Sequence, residues 1–112
     1  MKTKKELKEE YKQMKFPMGV FQIKNLSNDK VLIDNSVDME SKWNRHRMEL
    51  KLGNHRNKAF QSDWNEYGED NFVFEVLSEL KRGEEENVNY NKELKTLQEM
   101  VIEELNTQNL LY

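Results

Sequence analysis

The sequence predicts a mixed α/β (α+β) domain: a small three-stranded antiparallel sheet flanked by helices, with an added helix at the N-terminus. Three observations predict it. The segments MGVFQIK, KVLIDN and NFVFEVL are short and rich in β-branched and aromatic residues. The segments around them place apolar residues at i, i+4 and i+7, the spacing of one helix face. The 112 residues suffice for one domain of ordinary size and leave no room for a second core.

Taken in order, residues 3–15 read as a helix. Thr3 and Glu6 have capping-box spacing, Leu7, Tyr11 and Met14 form one stripe, and Pro17 stops it. Residues 18–24 and 30–35 read as two strands joined at Asn25–Asp29, a run of turn-forming side chains. Asp38 or Ser36 caps the next helix, whose inward stripe is Met39, Trp43, His46 and Leu50 and whose stop is Gly53. Residues 57–67 give a further helix, with Phe60, Trp64 and Tyr67 on one side and Gly68 as its stop. Trp43, Phe60 and Trp64 read as core residues. Residues 71–77 are apolar on both faces, which predicts a strand in the middle of a covered sheet. Residues 79–92 are polar and acidic and read as a loop, with Glu84, Glu85 and Glu86 solvated. The last helix is expected over 93–106 on Leu94, Leu97, Val101 and Leu105, followed by a tail, 107–112, that either packs or frays. The domain proper is thus expected over 18–106.

Composition narrows the function. There are no cysteines, which excludes disulfides, zinc–thiolate sites and cysteine nucleophiles. No apolar run reaches the roughly 18 residues of a membrane span, and the basic N-terminus leads into no apolar stretch of an export signal. A cytoplasmic protein without membrane contact is expected. The mean hydropathy of −1.04 approaches the disordered range, but two Trp, four Tyr and five Phe supply the anchors of a core. A net charge of −3 gives no global attraction to nucleic acid, so such a surface must be local. One stretch qualifies: Lys42, Arg45, Arg47, Lys51, Arg56 and Lys58 face only Glu49 between residues 42 and 58. Phosphate contacts from it would be salt-sensitive and sequence-blind.

The ordered set Gly19-Val20-Phe21, Lys30 to Ser36, Lys42-Trp43, His46, His55 and the long run Asn57-x-x-Phe60-Gln61 to Asn71-Phe72-x-Phe74-Glu75-Val76-Leu77 resembles the GIY-YIG nuclease family over about residues 18–106. The resemblance implies a three-stranded antiparallel sheet with flanking helices, and hydrolysis of a DNA phosphodiester with one divalent cation. In that family two strand tyrosines act on the attacking water, a helix arginine stabilises the phosphate and a glutamate holds the metal. Residue by residue, the tyrosines fall on Phe21 and Leu32, the arginine on Lys42, an accompanying histidine on His46 and the glutamate on Gln98, with Glu99 one position away. A glycine of the second motif falls on Asp34. A neutral amide is a poor ligand for a hard cation, and neither Phe21 nor Leu32 has a hydroxyl to handle a proton. A catalytically silent pseudoenzyme is therefore expected, without a cofactor, that binds nucleic acid (DNA rather than RNA) through the basic stretch. Two alternatives stand beside it. One is a weak endonuclease using Mg2+ or Mn2+ in a site rebuilt from Asp34, Glu99 and His46. The other is a protein-interaction module that keeps only the scaffold.

Overall fold

The computed structural model describes residues 18–81, 89–106 and 108–112. The helix expected over 3–15 and the Glu84–Glu86 run lie outside the described residues. Strand β1 (Met18–Asn25) leads into β2 (Val31–Ser36), then α1 (Met39–Leu52) and α2 (Lys58–Tyr67). A single 3-10 turn (Glu69–Asn71) precedes β3 (Phe72–Leu80); α3 (Tyr90–Leu105) and a second 3-10 turn (Gln108–Leu110) complete the chain. The sheet is antiparallel throughout, in the order β2-β1-β3. None of the described helices is long and apolar enough to cross a membrane.

β1 is the central strand because it alone is apolar enough to be covered on both faces. Phe21 and Ile23 join Met39, Leu50, Phe60, Trp64 and Phe72 in one core cluster, and Val20 joins Val31, Ile33 and Val101 in the other. Side chains alternate along a strand, so α1 and α2 cover one face and α3 the other. The central placement expected for residues 71–77 is thereby corrected. β3 is an edge strand, and its Val73 and Val76 are exposed although both are β-branched. β-propensity reports fit to a pleated surface and does not by itself report position in the sheet. A register shift between Val20 and Phe21 leaves Leu77 as an extra residue in β3, and it packs with the α3 cluster.

Residues 79–92 are not one loop. β3 runs on to Leu80, and α3 starts at Tyr90 because the Asn89 side chain accepts a hydrogen bond from the Lys92 amide. Leu105, expected in the α3 stripe, is exposed, as is Tyr67 at the end of α2. The tail packs. Leu111 forms a parallel bridge with Val31, and the Tyr112 amide donates to the Val31 carbonyl. The Tyr112 hydroxyl donates to Asp63 Oδ2 at 2.7 Å and accepts from the fully buried Asn25 amide at 2.9 Å. Burial and the Asp63 carboxylate push the Tyr112 pKa up to about 12. The phenol thus stays protonated and clamps the tail to the β1–β2 turn and α2.

Candidate functional site

Phe21 stands opposite Asp34, and Ile23 opposite Leu32, in the β1–β2 ladder. All four side chains therefore share the face covered by α1. Asp38 caps α1 by accepting from the Ser41 amide, which fixes the helix start and sets Met39, His46 and Leu50 inward at helical spacing. Gly53 ends the helix in the left-handed region, at φ 76°. The reversal that follows brings His55 back onto His46, with the ring centroids 5.1 Å apart.

The result is a directed chain of hydrogen bonds. The Asn57 backbone N–H donates to His55 Nδ1 at 3.0 Å, so that nitrogen is an acceptor. A neutral His55 then carries its proton on Nε2 and donates it to His46 Nδ1 at 2.8 Å. His46 in turn donates from Nε2 to Asp34 Oδ2 at 2.9 Å. Both rings are buried. Burial, followed by the neighbouring His46, holds the His55 pKa below its ordinary 6.5. For Asp34, burial works upward. The His46 hydrogen bond, the Asn35 amide and the Lys42 ammonium outweigh it, and the pKa lies below the ordinary 3.8. Lys42 Nζ is 3.9 Å from the same Oδ2. A cavity of about 260 Å3 opens here, lined by Leu32, Asp34, Lys42, His46, His55 and Arg56 among others. Behind it, Gln61 accepts from the His55 amide and donates to the Leu50 carbonyl.

Of the residues singled out in the sequence, Leu32, Lys42 and His46 line this cavity together with Asp34. Phe21 lies beneath, fully buried, and meets the His46 ring edge-on at 6.2 Å. Gln98 is elsewhere. It projects from α3 onto β2, donating to the Ile33 carbonyl at 3.1 Å and accepting from the Asn35 amide. Ile33 and Asn35 alternate with Asp34, so Gln98 meets the opposite face of the strand. Glu99, the next residue, is exposed on α3. His55 stood in the sequence without an assigned role; the signal was a second histidine just past the Gly53 helix stop.

The residues present do not fit a divalent cation. A hard ion needs several free oxygen ligands. Both ends of the Gln98 amide are engaged by β2, and Asp34 Oδ2 is shared between His46 and Lys42. Among the described residues no three His, Asp or Glu side chains converge on one point. A site rebuilt from Asp34, Glu99 and His46 is thus not assembled. Gln98→Glu supplies a direct check. A carboxylate there would face the Ile33 carbonyl, a repulsive pair, whereas the protonated acid would donate to it. The pKa of the new group would be raised, so its stability is retained below the ordinary value of about 4.3 and lost as pH rises through the folded value. Thermal unfolding is expected to show a loss of about 1–3 kcal/mol at neutral pH, shrinking as the solution is acidified.

Most of the basic stretch is neutralised by neighbouring carboxylates. Arg45 pairs with Glu49 at 3.3 Å, and Arg47 and Lys51 both reach Glu69, at 3.1 and 3.7 Å. Arg47 also lies over the Trp43 ring. Arg56 and Lys58 are exposed and form no ion pair among the described residues.

No family model matches the chain. Intron-associated endonuclease 1 of Enterobacteria phage T4 is 38% identical over 64 residues, which are 55% of this chain and 25% of that protein. The chain thus spans about a quarter of the length of this relative. Among solved structures, a mutant form of the catalytic domain of intron endonuclease I-TevI matches with a TM-score of 0.70 at 28% identity, over 87% of this chain and 92% of that one. The catalytic domain of homing endonuclease I-TevI matches with a TM-score of 0.69 at 28% identity, over 85% of this chain and 95% of that one.

Proposed function

We propose that this chain, similar in fold and sequence to the catalytic domain of intron endonuclease I-TevI, is a GIY-YIG-type endonuclease-like domain that binds DNA without cutting it. One observation carries the reading: the positions matching the family tyrosines are hydrocarbon side chains, Leu32 lining the cleft beside α1 and Phe21 fully buried beneath it, while Gln98, matching the metal carboxylate, is hydrogen-bonded to the other face of β2. What remains beside Lys42 is an aspartate whose pKa is lowered, a weak base. General acid–base catalysis contributes about 10²–10⁴-fold to such reactions, and a polarising metal contributes several kcal/mol more. Without both, hydrolysis falls below ordinary detection.

The scaffold keeps a route to phosphate. Lys42 stands at the position of the family arginine as a point charge without the bidentate fork, and the stretch 42–58 supplies further cations. Binding is expected to be independent of base sequence and to weaken steeply between about 50 and 200 mM salt. Fluorescence anisotropy with a short labelled duplex measures this. No binding at the lower salt concentration would leave a protein-interaction module as the better account.

A further inference from the structure

Within the basic stretch, and resting on the DNA-binding reading above, we infer that the DNA backbone is held at one place: the cavity beside the start of α2, by Arg56 and Lys58. The cavity measures about 610 Å3 and is lined by Gly53, Asn54, His55, Arg56, Lys58, Gln61, Ser62 and Asn65, of which the two cations and the polar Asn54, Ser62 and Asn65 carry the argument. Three features single it out.

The first is the charge balance. A cation with a carboxylate within 4 Å gains little by exchanging it for a phosphate and releases few counterions. That describes Lys42, Arg45, Arg47 and Lys51. Arg56 and Lys58 have no carboxylate partner among the described residues, and the first turn of α2 carries no acidic residue to repel an anion. The second is the donor set. Asn65 Oδ1 accepts from Gln61 at 2.9 Å, which leaves the Asn65 amide hydrogens for an incoming acceptor, with the Ser62 hydroxyl one turn away on the same helix. No carboxylate lines the cavity. The third is the absence of a stacking platform. No Phe, Tyr or Trp ring is part of the lining, and the His55 ring is buried against His46 and Phe60. Bases need an aromatic face to stack on; phosphates need only cations and donors. The cavity also shares His55 and Arg56 with the smaller one beside Asp34, so a strand held at Arg56 runs toward Lys42.

Salt titration of duplex binding tests this. Each phosphate contact contributes about 0.9 to the slope of log K against log salt. The double variant Arg56→Gln/Lys58→Gln is expected to lose about 1.8 of that slope and at least tenfold in affinity at low salt. Arg45→Gln/Arg47→Gln is expected to retain the slope of the unmodified protein. All four side chains sit at the surface, and unchanged thermal unfolding checks that each variant is folded. Equal losses in the two variants, or a loss confined to Arg45 and Arg47, would overturn the inference while leaving DNA binding intact. Failure of the unmodified protein to bind any duplex would overturn the proposed function and this inference with it.

Discussion

Gly19→Ala is expected to destabilise the domain by about 3 kcal/mol, at the upper end for overpacking a core. A Cβ at Gly19 would stand 2.1 Å from the Ser78 carbonyl oxygen and 2.9 Å from the Glu79 Cα, both backbone atoms of β3. No side-chain rotation relieves that contact. Either β1 and β3 separate, losing ladder hydrogen bonds in the middle of the sheet, or β1 shifts relative to β2. The midpoint of thermal unfolding should fall by roughly 10–20 °C for a domain of this size. Gly53→Ala is the contrast. Its φ is 76°, yet an added Cβ meets nothing within 4 Å, so only the left-handed backbone conformation is penalised, at about 1–2 kcal/mol. Equal losses in the two variants would show that the Gly19 contact is relieved in solution.

His46→Ala is expected to cost about 2–4 kcal/mol. Removing the ring strands two groups at once. The His55 Nε2–H loses its acceptor, and Asp34 loses its 2.9 Å donor while still partly buried. A broken polar chain is worse than an apolar one, because each orphaned member keeps its desolvation cost. The pH dependence follows from two depressed pKa values. His55 titrates below its ordinary 6.5 in the folded state, so the stability it contributes is complete above that value and declines as pH falls through the folded pKa. Asp34 titrates below its ordinary 3.8, so its contribution is complete above that value and is lost as pH falls through the folded pKa. Denaturant unfolding of the unmodified protein should therefore show stability declining as pH is lowered below the ordinary histidine value. In His46→Ala that decline should shrink, since His55 is then less buried and no longer faces a second ring. A variant that keeps the full decline would place its origin in another group.

Much of the fold was legible in the sequence because its punctuation is local. Asp38, Asn57, Gly53 and Gly68 mark the ends of α1 and α2 by side chains or backbone conformations that act within a few residues. The errors concern partners distant in sequence. Residues 71–77 alone do not reveal that β1 intervenes between β3 and β2, nor that Leu77 is the extra residue of a shifted register. For Tyr112 the sequence leaves packing and fraying equally open until Asn25 and Asp63 are brought to its hydroxyl. In the site, His46 and Asp34 could each be named, but the chain linking them to His55 exists only because Gly53 turns the backbone back. Likewise the six cations read as one patch until Glu69, well outside the stretch, takes up two of them.

The most direct measurement is the fate of supercoiled plasmid incubated with the purified protein at low salt, with Mg2+ and separately with Mn2+. The account predicts circles that are retained by the protein in gel shift and remain fully supercoiled after its removal. Nicked or linear product that disappears with EDTA and with Lys42→Ala would contradict it, and would require a metal-binding cleft that Phe21, Leu32 and Gln98 do not build.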